Sequence, residues 1–165
     1  MTKIIDKDRF YYNPEFLGSA SGRSVRILSE YYGPLQRMQR KRISDTIVFF
    51  GSARILAREV AQDALDNAPK DSDKQSLKRL KMDLKMSRYY EDARTLAGKF
   101  TKWSKGLKGT KHRYIICSGG GPGIMEASNR GASEAGGVNV GLTILLPNES
   151  SGNKWISDDL DMKFH

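Results

Sequence analysis

The run from Tyr114 to Ala132 constrains this chain more than any other. Tyr114-Ile115-Ile116-Cys117 is a short apolar stretch, the pattern of a strand covered on both faces. Ser118-Gly119-Gly120-Gly121-Pro122-Gly123 follows, and Gly119, Gly120, Gly121 and Gly123 can take backbone angles that a side chain forbids. Met125, Ala132 and the residues between them then follow helical spacing. A strand, a tight turn and a helix make one crossover unit of an α/β sheet. A turn without side chains can bring its N–H groups close to a ligand, and the helix N-terminus behind it favours an anion. An N–H bond to a charged oxygen contributes about 1.5–3 kcal/mol, against about 0.3–1 for the helix dipole, so the amides dominate.

Two familiar glycine loops are excluded by spacing. No Gly-Lys-Ser/Thr follows at the offset a P-loop needs. Counted from Gly119, the third glycine of a dinucleotide fingerprint falls on Ile124. The segment from Asn139 to Ile144 also lacks the carboxylate that would hold a ribose. A tight turn with no ligand therefore stands beside the ligand-binding reading. Open α/β sheets bind ligands at the carboxyl ends of their strands, which favours the second.

The remaining pattern builds outward from this unit. Residues 1–18 read as an arm with Phe10, Tyr11, Tyr12 and Phe16 around Pro14. Ser19 or Ser21 is placed to cap a helix with Val25, Leu28, Tyr31 and Tyr32 on its apolar face, which Gly33-Pro34 should break before a second short helix with Leu35 and Met38. Thr46 to Phe50 predicts the first core strand, and Gly51-Ser52 turns the chain into a helix over 53–66. Ser52 there either caps that helix or lines a pocket.

Ser72-x-x-Gln75 reads as a capping box opening a long helical region that ends at Gly106 or Gly109. It carries two apolar stripes: Leu77, Leu80 and Leu84, then Met82, Met86, Tyr89, Ala93, Leu96, Phe100 and Trp103. Either the first stripe meets another subunit or the helix breaks near Ser87. Tyr89 and Trp103 are expected in the core. Strands over 113–118 and 138–146 enclose a helix over 123–135, and 148–160 read as a solvated acidic loop. The expected fold is α/β: a Rossmann-like parallel sheet of three strands with flanking helices, incomplete at its C-terminus. Residues 1–44 form an arm with helices, and 45–165 the α/β domain.

These motifs resemble a known family. Ser118-Gly-Gly-Gly-Pro-Gly-Ile-Met-Glu-Ala-Ser-Asn-Arg-Gly-Ala132 is similar to the first glycine motif of the Lonely Guy family, long labelled "lysine decarboxylase-like". Phe49-Phe50-Gly51-Ser52-Ala53-Arg54 resembles its first-strand motif. Gly141-Leu142 through Leu145-Leu146-Pro147-Asn148-Glu149 resembles its third strand and the loop beyond. Arg26-Ile27-Leu28-Ser29-Glu30-Tyr31 with Pro34 resembles the amino-terminal helix of its longer bacterial members.

The resemblance implies a phosphoribohydrolase that cuts the N-glycosidic bond of nucleoside 5′-monophosphates, giving free base and ribose 5-phosphate. It implies AMP or a similar monophosphate as ligand, and a homodimer. Nucleotide contacts would fall on Gly51, Ser52, Ala53, Gly119, Gly120, Gly121, Gly123, Ile124, Met125 and Glu126. Glu126 is the candidate for catalysis, with a surface helix-dipole partner as the alternative. The family's second signature, Pro-Gly-Gly-x-Gly-Thr-x-x-Glu, is absent, and so is the arginine helix before it. The chain is thus expected to be part of a longer product, to bind a monophosphate weakly, and to be inactive alone. A non-catalytic nucleotide or molybdenum-cofactor carrier is the alternative.

Composition trims the other function classes. No apolar run approaches the roughly 20 residues of a membrane span, and no signal peptide is visible, so a cytoplasmic, membrane-free protein is expected. The single cysteine, Cys117, reads as an inert core thiol. Asp158, Asp159 and Asp161 have no His-Glu partner pattern, and His112 and His165 are isolated, so no metal is implied. No pyridoxal-type lysine motif appears, and no other cofactor is called for. The formal net charge of +9 lies mainly over residues 46–112, with fifteen basic and eight acidic groups. Without a nucleic-acid-reading motif, that excess reads as solvated helix surface, and nucleic acid is an unfavoured partner.

Overall fold

The structure, a computed structural model, describes residues 9–109, 112–144 and 152–164. After a 3₁₀ turn at Phe10–Tyr12 come helices α1 (Pro14–Gly18) and α2 (Arg23–Arg40). Strand β1 (Thr46–Phe49) leads to α3 (Arg58–Asp66), α4 (Lys74–Met86) and α5 (Arg88–Lys105). Then follow β2 (Ile115–Ser118), α6 (Ile124–Glu134), β3 (Asn139–Ile144) and β4 (Asp161–Phe164). The four strands form one all-parallel sheet in the order β1-β2-β3-β4. This is the expected Rossmann-like α/β class.

That strand order decides how the sheet is covered. Successive right-handed crossovers between neighbouring strands place their helices on the same side. The register pairs Ile47 with Ile116 and Val48 with Cys117, so alternate residues sort onto two faces. On one, Ile116 packs with Ala97 of α5 and Ala132 of α6, flanked by Ile47, Phe49 and Phe100. On the other, Ile115, Cys117, Val140, Leu160 and Met162 form a cluster that Met38 of α2 joins. Toward the carboxyl ends of the strands this second face is open. Val48 and Ile144 are each 62% exposed.

Several local expectations are corrected. A fourth strand, β4, is present where the sequence suggested only three. The described part of the loop expected over 148–160 has no helix or strand, but it is not solvated throughout, since Leu160 is buried. Residues 145–151 of that span, and of the strand expected over 138–146, lie outside the described residues. Helix α2 runs unbroken through Pro34. The proline removes one backbone donor, a loss that the largely exposed α2 tolerates. Its Ile27, Leu28, Tyr31 and Tyr32 are exposed. Neither serine is its N-cap, a position Gly22 holds, although Ser19 Oγ accepts from Gly22 N at 3.3 Å.

Asp73, rather than Ser72, caps α4, accepting from Ser76 N at 2.7 Å. A carboxylate meets the helix dipole better than a hydroxyl, and these bonds to Ser76 lower the Asp73 pKa. The helix breaks at Ser87, whose Oγ donates to Leu84 O at 2.7 Å.

The buried face of α5 is Tyr90, Ala97 and Thr101. It lies one residue on from the predicted stripe, and Tyr89 and Trp103 are exposed rather than core. Small residues set this choice. A Cβ at Gly131 would overlap Arg94 O, so α5 and α6 approach to backbone contact there.

Candidate functional site

At the carboxyl edge, β1 and β2 release their two glycine-containing turns side by side. Ser52 O accepts from Ile124 N at 3.1 Å, which ties the first turn to the start of α6. Gly123 has φ +71°, and a Cβ there would overlap Ser52 O. Gly120 has φ +73°, and its Cβ would overlap Thr143 Oγ1. Only glycine meets both demands at either position.

The helix predicted from Ala53 begins instead at Arg58. Ser52 therefore caps nothing: its Oγ accepts from Arg54 N at 3.2 Å, inside a turn. The carboxylate of Glu91 in α5 takes that capping role from a distance, accepting from Arg58 N at 3.2 Å.

These turns border a cavity of about 680 Å³, within the size range of small-molecule sites. Of the candidate residues, Ala53, Gly119, Gly120, Gly121, Met125 and Glu126 line it. Gly51, Ser52, Gly123 and Ile124 stand behind that wall and hold the two turns together, with Gly51 packed against Ile124. The opposite wall is apolar, made by Val48, Phe50, Leu142 and Ile144 of the open sheet face. The N–H groups of Gly121, Met125 and Glu126 have no partner among the described residues. The first turn of α6 also has no side-chain cap. The Gly120 N–H is already taken, by Ser118 Oγ at 3.0 Å.

Glu126 is the one carboxylate among the described residues lining the cavity. Tyr90 donates to its Oε1 at 2.9 Å. Burial pushes the Tyr90 hydroxyl up to about 12, and the Glu126 carboxylate adds to that against the opposing pull of Arg130. Tyr90 is thus a neutral donor at physiological pH. Behind it, Arg94 grips Glu134 with two bonds of 2.6 Å. Arg130 joins Glu134 at 3.0 Å and pairs with Glu59. Burial opposes charge on Arg130, but Glu59, Tyr90 and Glu134 outweigh it and raise its pKa. Burial alone holds the Cys117 thiol up at about 11, so it stays protonated and inert.

A second polar layer lies under the glycine turn. Asn129 and Asn139 are fully buried. Asn129 Oδ1 accepts from Ser118 Oγ at 2.6 Å and from Asn153 Nδ2 at 2.9 Å, while Asn129 Nδ2 donates to Asn139 Oδ1 at 2.9 Å. Asn139 Nδ2 donates to Trp155 O at 3.0 Å. Sequence reasoning missed Asn153, Thr143 and Tyr90 at this site. A readable signal existed for the layer itself. Asn139 stands between Val138 and Val140 in an otherwise apolar strand, where a buried amide needs partners.

Fold and site together define a Rossmann-like α/β domain with a glycine-turn cavity at the carboxyl edge of its sheet. Residues 106–163 match the model of the SLOG cluster4 family. The SLOG superfamily includes Lonely Guy-like Rossmann proteins, in keeping with the resemblance carried by the glycine motif. The match indicates a nucleotide-related function. No curated protein matches the chain. Among the described residues, no helix is long and apolar enough to cross a membrane.

Proposed function

We propose that this chain is a nucleotide-binding domain of the phosphoribohydrolase type that takes a nucleoside 5′-monophosphate such as AMP. The observation that carries this reading is the pairing of two unlike walls in one cavity. Gly121, Met125 and Glu126, whose N–H groups have no partner among the described residues, line one wall, and Val48, Leu142 and Ile144 line the other. An anionic phosphate satisfies the first wall, and a flat base covers the second. Glu126, steadied by Tyr90, meets the ribose between them.

Binding without turnover fits the carboxylate count. N-glycosidic hydrolysis proceeds through an oxocarbenium-like ribose, and activating water against it takes positioned acid–base groups. Glu126 is alone among the described lining residues, and the sequence has no Pro-Gly-Gly-x-Gly-Thr-x-x-Glu motif to supply a second carboxylate. The experiment is calorimetric titration with AMP alongside an assay for released adenine. Saturable AMP binding without adenine release is expected. Absence of AMP binding at millimolar ligand would sink the reading, and adenine release abolished by Glu126→Ala would show the chain to be catalytic by itself.

A further inference from the structure

The segment over 152–157 packs against the glycine turn, and its Gly152 and Asn153 line the same cavity beside that turn. Asn153 N donates to Gly120 O at 2.8 Å, and Asn153 Nδ2 donates to the same oxygen at 3.0 Å. Asn153 Nδ2 also reaches Gly121 O at 3.3 Å and Asn129 Oδ1 at 2.9 Å. The segment is itself anchored from below. Asn139 holds Trp155 O, and Asn139 N donates to Ser157 Oγ at 3.0 Å. The Arg130 guanidinium lies 5.2 Å from the centre of the Trp155 ring.

These bonds have a directional consequence. In a trans peptide the C=O and the following N–H point opposite ways. Capture of Gly120 O by Asn153 therefore turns the Gly121 N–H away from the 152–157 segment. That N–H is one of the donors without a partner among the described residues. The next peptide carries no donor, because residue 122 is proline, so the hold on Gly121 O serves only to fix the turn. Glycine has no side chain to resist rotation of these peptides, and Gly120 already sits at φ +73°. Without an outside clamp the turn has several orientations open to it, and Asn153 selects one.

We propose that Asn153 is a positioning residue for phosphate recognition: it fixes the peptide orientation in which the Gly121 N–H meets an anionic oxygen. The inference rests on the nucleotide reading above and adds to it that phosphate affinity, as distinct from base affinity, depends on the 152–157 segment. Asn153 acts through the turn, and a merely structural role would weaken all ligands alike.

The test uses the whole chain and three probes: AMP, adenosine and inorganic phosphate. Asn153→Ala removes the side-chain part of the clamp, its bonds to Gly120 O, Gly121 O and Asn129 Oδ1, and leaves the turn held by the Asn153 N–H alone. Asn153→Asp keeps nearly the same shape but replaces the donor with an acceptor facing Gly120 O, Gly121 O and Asn129 Oδ1, which guards against a variant that merely packs badly. Both variants should lose at least about tenfold in affinity for AMP and for phosphate, while adenosine changes by less than about twofold. Equal losses for AMP and adenosine, or no loss for any probe, would overturn the proposal. Failure of the wild-type chain to bind AMP would instead overturn the nucleotide reading on which it rests.

Discussion

Ile116 and Cys117 are neighbours in β2, yet they face different worlds. Ile116 points into the layer beneath α5 and α6, where Ala97 and Ala132 are fully buried. The face that holds Cys117 is covered by Met38 near one end, and at the other Val48 and Ile144 stand open above the cavity. Both faces are made from apolar residues of the same strands. Helix contact distinguishes them, and strand order decides helix contact. Apolar content alone therefore does not say which face is core and which is a binding wall.

The packed face should be intolerant. Gly131→Val would drive a branched side chain into the α5 backbone at Arg94 O. We expect a loss above about 4 kcal/mol, seen in urea unfolding, or failure to fold. A loss below about 1 kcal/mol would show that the two helices can separate freely.

A matched pair sharpens the comparison. Ile116→Ala should cost about 2–5 kcal/mol, since Ile116 is fully buried under two helices. Ile144→Ser, on the open face, should stay within about 0.5 kcal/mol while weakening AMP binding severalfold. Equal destabilisation by both would mean that the second face is covered in solution.

The smallest effect concerns the charges behind Tyr90. Arg130→Met should cost about 1 kcal/mol at neutral pH, because its partners Glu59 and Glu134 are partly exposed. The hydrogen bond from Arg130 holds the Glu59 carboxyl below its ordinary pKa, and Arg94 foremost, then Arg130, does the same for Glu134. A lowered carboxylate pKa contributes stability above the unfolded value, and that stability is lost as pH falls through the folded value. The Tm difference between wild type and variant should therefore shrink from pH 7 to pH 3. A difference that grows on acidification would contradict this assignment.

What the sequence revealed, and what it hid, follows the same division. The glycine turn, β1, β2 and β3 were legible because apolar runs that end in glycine, as for β1 and β2, or run from glycine to proline, as for β3, have few alternative meanings. Strand β4 was not, since Asp161-Met162-Lys163-Phe164 alternates as a strand does but over only four residues, next to Asp158 and Asp159, which read as an acidic loop. The contact face of α5 was misread because Ala97 and Thr101 are less apolar than the exposed Leu96 and Trp103. Close helix approach rewards small size, which a hydrophobic stripe does not record. At the site, the two glycine turns could be placed together from parallel strand logic. Asn153 could not, because a loop asparagine ordinarily signals only a turn, and its partners come from residues distant in sequence.

The claim that unites the account is that the glycine turn and the open sheet face form one nucleotide site. Titration of ¹⁵N-labelled protein with AMP, followed residue by residue, tests it most directly. The account predicts saturable shifts that share one dissociation constant at Gly119, Gly121, Met125 and Glu126 and at Val48, Leu142 and Ile144. Shifts confined to the lysines of α4, or shifts on the two walls that titrate with different constants, would contradict it.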